Sequence, residues 1–252
     1  MPIKIAHSTW CCNNIDDALA IIKKEKYLEW DLDTLPFSLN QRRMSYVRDF
    51  IRDNGEVRFH LPHSFWDIGI NDKSIWSSSL EYYGRLFDTI SFLNAHYAVI
   101  HLGAFDGYNE DIALENLAYI AQRANDCDIN LCVENLIHGL TSDMSFVKKC
   151  LTVPHVNMCL DTGHAEVLRR KNGDVVLENI ASVKNKIVHA HIYDYENDSL
   201  NHIPFTQQSI TTNVWLPLLQ TTGCSWYTME VDFRDEQDGQ KKLVEQYLRK
   251  KN

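Results

Sequence analysis

The stretch INLCVEN, residues 129–135, is a short apolar run that ends in a potential metal ligand, Glu134. The next apolar run, VNMCLD at residues 156–161, ends in Asp161 and is followed at once by His164. The same arrangement recurs along the chain at His63, His101, His191 and Glu230. Such repetition implies that the strand ends converge in space. A closed ring of parallel strands brings the C-terminal ends of its strands to one mouth.

Eight strand-like runs alternate with amphipathic, helix-like stretches throughout the chain. The runs span residues 3–8, 27–32, 57–63, 97–103, 129–135, 156–161, 187–194 and 226–232. The helix-like stretches span 15–25, 40–53, 74–95, 110–126, 142–151, 175–185, 208–221 and 237–250, with N-caps predicted at residues 109–111 and 141–142. The strands are almost continuously apolar, as expected when both faces are buried. The sequence therefore predicts an α/β fold with one domain, a single (β/α)8 TIM barrel over residues 1–252.

The overall charge is acidic, with 34 Asp and Glu against 25 Lys and Arg and a formal net charge of -9. Such a surface repels nucleic-acid phosphates and anionic membranes, which makes a nucleic-acid partner unlikely. No apolar run reaches the roughly twenty residues of a membrane span, and the start, MPIKIAHSTW, lacks the apolar stretch of a signal peptide. We therefore expect no membrane partner and a cytoplasmic location. The seven cysteines, with no CxxC pair, are expected to be reduced thiols.

Four of the strand-end residues form the predicted metal centre. They are Glu134, Asp161, His191 and Glu230, on strands five to eight. Glu134 or Glu230 alone would be interpreted as a carboxylate bonded to an arginine or a backbone amide at the edge of the core. Four ionisable groups at the ends of buried strands need many compensating partners, and a divalent cation neutralises them at once. The set therefore predicts one mononuclear site of three carboxylates and an imidazole.

A second group of histidines allows two interpretations, as additional metal ligands or as substrate contacts. Its members are His63, His101, His164 and His202. His189 should face the same way as His191 but lie lower in the barrel, as a core histidine, because side chains two residues apart share one face of a strand. The remaining histidines, His7, His60, His96, His138 and His155, are left unassigned as structural or exposed.

Two further residues are candidate substrate contacts. Trp66 could cover the apolar side of a sugar ring, with ordinary packing as the alternative. Arg169 belongs to the basic run 169–171 that follows His164, which could hold a substrate phosphate or form a solvated loop. The irregular segment 195–208, after the seventh strand, is expected to lie over the mouth.

The quoted motifs resemble the xylose isomerase-like barrel superfamily over nearly the whole chain. The resemblance rests on LPHSFWDIG, VIHLGAF, VENLIHG, LDTGHAEV, HAHIYDYEND and the final MEV. In the sugar epimerase branch, the residues that match Glu134, Asp161, His191 and Glu230 bind one divalent ion, commonly manganese, cobalt or magnesium, and zinc also suits such a donor set. The resemblance implies that Glu134 and Glu230 also act as catalytic acid and base on a small sugar-like substrate. Proton return through an enediolate then gives epimerisation or isomerisation.

The same superfamily contains the endonuclease IV-like enzymes, which use up to three zinc ions to cleave abasic DNA. Their ligand pattern also matches the second group of histidines in this chain. It departs after strand seven, where the repair enzymes have an aspartate two residues before the position of His202 and this chain has Leu200. HLG also replaces their histidine-proline-glycine after strand four. These departures and the acidic charge favour the isomerase or epimerase over an AP endonuclease.

A third interpretation is a barrel that binds a small ligand without catalysis. The retained pair of glutamates argues against it, because binding alone does not need an acid and a base. The identity of the sugar, its phosphorylation and the oligomeric state stay open, although barrels of this kind often form homo-oligomers.

Overall fold

The computed structural model describes residues 2–35, 41–62, 73–102, 109–197 and 202–251. Eight parallel strands close into a barrel in chain order, and β8 pairs with β1. The strands are β1 Lys4–Ser8, β2 Tyr27–Asp31, β3 Glu56–His60, β4 Tyr97–Ile100, β5 Asn130–Glu134, β6 Val156–Asp161, β7 Ile187–Ile192 and β8 Trp226–Met229. The predicted (β/α)8 barrel is therefore confirmed.

The helices of the described residues surround this barrel. They are α1 Ile15–Glu25, α2 Gln41–Asn54, α3 Lys73–Phe92, α4 Glu110–Asp126, α5 Met144–Cys150, α6 Thr162–Asn172, α7 Val175–Ser182, α8 Leu216–Leu219 and α9 Arg234–Lys251. No helix in these ranges is both long enough and apolar enough to cross a membrane. All seven cysteines are free thiols, as predicted.

Three local features differ from the sequence prediction. The basic run at 169–171 is not a loop, because it forms the last turn of α6, where cations interact favourably with the carbonyl end of the helix. The N-cap of α5 is Asp143, whose carboxylate accepts the Ser145 amide hydrogen, rather than residues 141–142. The single helix expected over 208–221 is a π-helical turn, Thr211–Trp215, followed by the short α8.

The N-cap expected near 109 is Asn109, which accepts the amide hydrogens of Asp111 and Ile112.

The main apolar core lies between the strands and the helices, and it includes Trp30, Phe59 and Phe146, all fully buried. Burial of each such side chain contributes about 1.5–3 kcal/mol. The barrel interior contains a much smaller apolar cluster, formed by Val99, Cys132 and Cys159. Polar side chains are also buried inside the barrel, among them Glu29, Arg58, His189 and Thr228.

Candidate metal centre

The four predicted metal ligands come together at the C-terminal mouth of the barrel. Glu134 and Asp161 are the last residues of β5 and β6, His191 lies near the end of β7, and Glu230 directly follows β8. The strands are neighbours in the barrel, and Asp161 is in register with His191 across the β6–β7 pair. Rigid strand ends thus fix the positions of all four side chains. None of the four is more than 7% exposed.

The imidazole of His191 lies at the centre of this cluster. Its Nδ1 lies 3.0 Å from Glu230 Oε2, 3.3 Å from Glu134 Oε2 and 3.8 Å from Asp161 Oδ2. Ligand atoms of Glu134, Asp161 and His191 lie within 4.8 Å of one another. Neither His191 Nδ1 nor Asp161 Oδ2 has a hydrogen-bond partner, although both are buried. Nitrogen and oxygen atoms that converge in this way without hydrogen-bond partners are suited to bind a divalent cation.

The pKa values of this cluster reflect its crowded negative charge. Burial raises the pKa of Glu230 to about 7, although the nearby His191 pulls it downward. Burial also raises the pKa of Glu134, but His191 and His101 outweigh it and hold that pKa well below its usual range. For His191, burial lowers the pKa and the surrounding acidic groups raise it well above its usual value. A cation would replace the protons that hold these charges together.

Three other predicted histidines lie beside the centre. His101 Nε2 is 3.3 Å from Glu134 Oε2, and His164 Nδ1 is 3.4 Å from the other oxygen of that carboxylate. His202 packs edge-on against the rings of Trp10 and Tyr193, with centroid distances of 4.3 and 4.6 Å. The predicted site residues His63 and Trp66 lie outside the described residues.

The Arg169 side chain, a predicted substrate contact, forms hydrogen bonds with two neighbouring carboxylates. Its guanidinium donates to Glu166 Oε2 at 2.8 Å, within α6, and to Asp174 Oδ1 at 2.8 Å, in the turn between α6 and α7. The guanidinium that would bind a phosphate is therefore already hydrogen-bonded to two carboxylates. Arg169 is therefore not part of the site proposed below.

His60 is a site residue that sequence reasoning left unassigned. Its Nε2 lies 3.2 Å from Glu134 Oε2, and its Nδ1 donates to the Leu61 carbonyl oxygen at 3.0 Å. His60, His101 and Glu134 form a second group whose ligand atoms lie within 4.8 Å of one another. Burial lowers the pKa of His60, but Glu134 and Asp31 raise it to about 9.

Glu29, which no sequence motif singled out, lies beneath the centre inside the barrel. It is 2% exposed and contacts both histidines of β7, with its Oε1 3.2 Å from His191 Nε2 and its Oε2 2.8 Å from His189 Nε2. His189 is fully buried and lower in the barrel, as the strand periodicity predicts. The signal for Glu29 was its position two residues before Asp31, since both then share the inward face of β2.

A cavity of about 160 Å³ opens above the four ligands. Its described lining includes Trp10, Asp31, His60, His101, Glu134, His164, Glu196, His202 and Glu230. Glu196 and His202 belong to the segment 195–208, so this segment borders the mouth as expected. Burial raises the pKa of Glu196, which lies 3.8 Å from His164 Nε2.

The sequence segments that follow the strands contain no lysine or arginine. The segments that follow the strands span 9–14, 32–40, 61–72, 101–109, 135–143, 193–210 and 230–233, whereas α6 follows β6 directly. None of the seven contains a lysine or an arginine, and six contain aspartate or glutamate. All lysines and arginines of the chain therefore lie outside these segments. Such a mouth disfavours anionic ligands held by side-chain cations.

Comparisons with known proteins agree with this architecture. The chain is 24% identical to an uncharacterized protein from Methanocaldococcus jannaschii over 163 residues, which are 64% of this chain and 66%, just under two thirds, of that protein. Three solved structures share the fold. A D-tagatose 3-epimerase-like protein has a TM-score of 0.81 at 16% identity, with 98% of this chain and 97% of that chain covered.

The second structure is the IOLI protein with a bound zinc atom, with a TM-score of 0.76 at 15% identity over 98% of this chain and 96% of that one. The third is endonuclease IV from Thermus thermophilus, with a TM-score of 0.74 at 13% identity over 99% and 100% of the two chains. At these identities the likeness establishes the fold alone. The sequence model of the family described as xylose isomerase-like TIM barrel matches residues 25–251, and the chain therefore belongs to that family.

Proposed function

We propose that this protein is a divalent-metal-dependent isomerase or epimerase that acts on an uncharged sugar or keto-polyol. The observation that carries the proposal is the buried, unpartnered Nδ1 of His191, which faces three carboxylates at the mouth of the barrel. Glu134, Asp161, His191 and Glu230 would hold one ion, with manganese, cobalt, magnesium and zinc all suited to this donor set. Neighbours of the same fold include an epimerase-like protein and a zinc-binding protein.

The bound ion would supply Lewis acidity that stabilises negative charge on an enediolate. Glu230 is the better placed of the two glutamates to donate a proton, because it borders the cavity and, in the metal-free protein, burial raises its pKa to about 7. Glu134 lies close to His60, His101 and His164, which hold its pKa low, so it suits a role as an ionised metal ligand and as the base of the pair. Inversion of the carbon would need both glutamates, one to remove the proton from one face and the other to return a proton to the opposite face. Return of the proton to the neighbouring carbon would instead isomerise the substrate.

The charge of the mouth supports a substrate without phosphate or carboxylate. No lysine or arginine lies in the seven loop segments, and the one basic run predicted to reach the site is bonded to Glu166 through Arg169 and Arg170. An anionic group would therefore meet Glu196 and Glu230 with no lysine or arginine of these segments to offset them. A neutral polyol can instead use these carboxylates and the histidines as hydrogen-bond partners.

Solvent exchange provides a test that does not require the sugar to be known in advance. The metal-loaded protein is incubated in D2O with panels of free ketoses and keto-inositols and with their phosphate esters, and deuterium at the carbon next to the carbonyl is followed by NMR. We expect exchange with at least one uncharged substrate and much slower exchange with its phosphate ester. Preference for the phosphate ester would contradict the substrate class, and exchange with no substrate would contradict the isomerase or epimerase assignment.

The structure contains another possible metal site, formed by His60, His101 and Glu134, and this site favours one alternative function. That alternative is a zinc-dependent phosphodiesterase like the endonuclease IV enzymes. Such an enzyme needs more than one ion, and a shared Glu134 could bridge two of them. The acidic mouth argues against it, because duplex DNA is gripped through several lysine and arginine contacts. Cleavage of a duplex with one abasic site by the zinc-loaded protein would establish this alternative, whereas an intact duplex supports the isomerase.

A further inference from the structure

A buried carboxylate beneath the metal centre connects the two histidines of β7. Glu29 lies inside the barrel at 2% exposure, where an ionised carboxylate is costly unless it is fully hydrogen-bonded. Its Oε2 accepts from the Thr228 hydroxyl and lies 2.8 Å from His189 Nε2. Its Oε1 lies 3.2 Å from His191 Nε2. Both oxygens are therefore engaged.

The direction of these hydrogen bonds follows from Arg58 at the far end of the network. Its guanidinium can only donate, and one Nη1 lies 3.4 Å from His189 Nδ1 and 3.2 Å from the Val188 carbonyl oxygen. The same guanidinium stacks over the ring of Tyr97 at 3.6 Å, which fixes its plane. His189 Nδ1 is thus the acceptor of this ring, and its Nε2 carries the proton that is donated to Glu29.

His191 is the last member of the same network. A neutral imidazole has one N–H and one lone pair. If Nε2–H donates to Glu29 Oε1, the lone pair lies on Nδ1, which is the atom that faces Glu134, Asp161 and Glu230. A carboxylate on the far nitrogen of a ligating histidine also fixes the plane of the ring and makes the ligand nitrogen more basic.

We infer that Glu29 is a positioning residue of the metal centre, which holds His191 in the Nε2–H tautomer so that Nδ1 can bind the ion. Arg58, His189 and Thr228 hold Glu29 in place. The inference rests on the proposed metal site. Glu29 lies within β2, where it would control metal affinity without contact with the ion or the cavity.

Glu29→Gln tests this role with almost no change in volume. The amide NH2 group can donate to His191 Nε2, which favours a proton on Nδ1 and removes the lone pair from the metal side. Loss of such a partner typically weakens metal binding about 10- to 100-fold. Zinc and cobalt dissociation constants are measured by chelator competition on metal-free protein, together with the visible absorption spectrum of bound cobalt, which reports the ligand geometry directly.

The matched control is Glu166→Gln, another buried carboxylate at 1% exposure, which pairs with Arg169 and Arg170 on α6. It should leave the metal dissociation constant and the cobalt spectrum unchanged while it lowers the melting temperature. Unaltered affinity and an unaltered spectrum in Glu29→Gln, with tight binding by the wild type, would overturn the Glu29 role alone. Failure of the wild type to bind any divalent ion would overturn the proposed function and the inference together.

The wild type provides a second test if Glu29→Gln does not fold. Imidazole 15N NMR of the zinc-loaded protein distinguishes a protonated nitrogen from a metal-bound one. We expect His191 to show a protonated Nε2 and a metal-bound Nδ1. Zinc on Nε2, or rapid exchange between the two tautomers, would contradict the inference.

Discussion

Metal binding at this centre should release about 1.5 protons at pH 7. In the metal-free protein, acidic neighbours overcome the effect of burial and hold the pKa of His191 well above its usual value, so this ring carries one proton that the ion must displace. Burial raises the pKa of Glu230 to about 7, so that carboxyl is about half protonated at pH 7 and contributes about 0.5 of a proton.

Both pKa values are raised, so protons compete with the ion at low pH and affinity rises as the pH rises. Glu230 alone contributes about 0.9 of a proton at pH 6 and about 0.1 at pH 8. The slope of log affinity against pH equals the number of protons released, so Glu230 alone should raise the affinity about tenfold from pH 6 to pH 8, and the proton displaced from His191 should increase this change further.

Isothermal titration calorimetry in buffers with different ionisation enthalpies gives the number of protons released, and chelator competition at pH 6 and pH 8 gives the affinities. Glu230→Gln is the control, because a neutral amide removes the fractional proton and should release about half a proton fewer at pH 7 than the wild type. Release of less than about one proton at pH 7, or an affinity independent of pH, would refute the assigned charge state of the centre.

Two further predictions concern proton transfer and packing. Glu230→Gln should keep the fold and some metal binding but lower kcat by about 10²- to 10⁴-fold at saturating metal. Turnover at the wild-type rate would contradict the acid/base role of Glu230. Gly163→Ala should destabilise the fold by about 1–3 kcal/mol in urea unfolding, because the added Cβ would lie 1.9 Å from the Tyr193 ring. Gly84→Ala in helix α3 is its control, since the nearest atom there is Arg123 Nε at 3.7 Å, and it should be neutral or stabilising by up to about 1 kcal/mol. Equal stability of the two variants would contradict the packing argument.

The barrel and its strand-end residues could be predicted because both leave local signals. Nearly continuous apolar runs mark parallel strands, and a polar side chain at the end of each run marks the mouth. Glu134, Asp161 and Glu230 all lie at such ends, within one residue of the strand bounds. Adjacent strands in chain order then placed them together without knowledge of tertiary contacts.

The interior network was harder to predict, because its residues lie within strands rather than at their ends. Glu29 and Arg58 occur in runs, YLEWD and EVRFH, that look like edges of ordinary strands. The roles of Glu29 and Arg58 depend on which face of each strand turns inward. Because side chains alternate along a strand, Glu29 shares a face with Asp31, and Arg58 shares a face with His60. Helix α6 was missed for another reason, because its start coincides with the ligand-bearing end of β6 and no connecting segment separates them.

The most direct test of the central claim is the metal content per chain, measured by elemental mass spectrometry on protein purified without chelators or a metal-binding affinity tag and then replenished with divalent ions. The four-ligand centre predicts close to one equivalent of manganese, cobalt, magnesium or zinc. Two to three equivalents of zinc would instead favour the phosphodiesterase, and no bound metal after replenishment would contradict the claim that this chain is a metal-dependent enzyme.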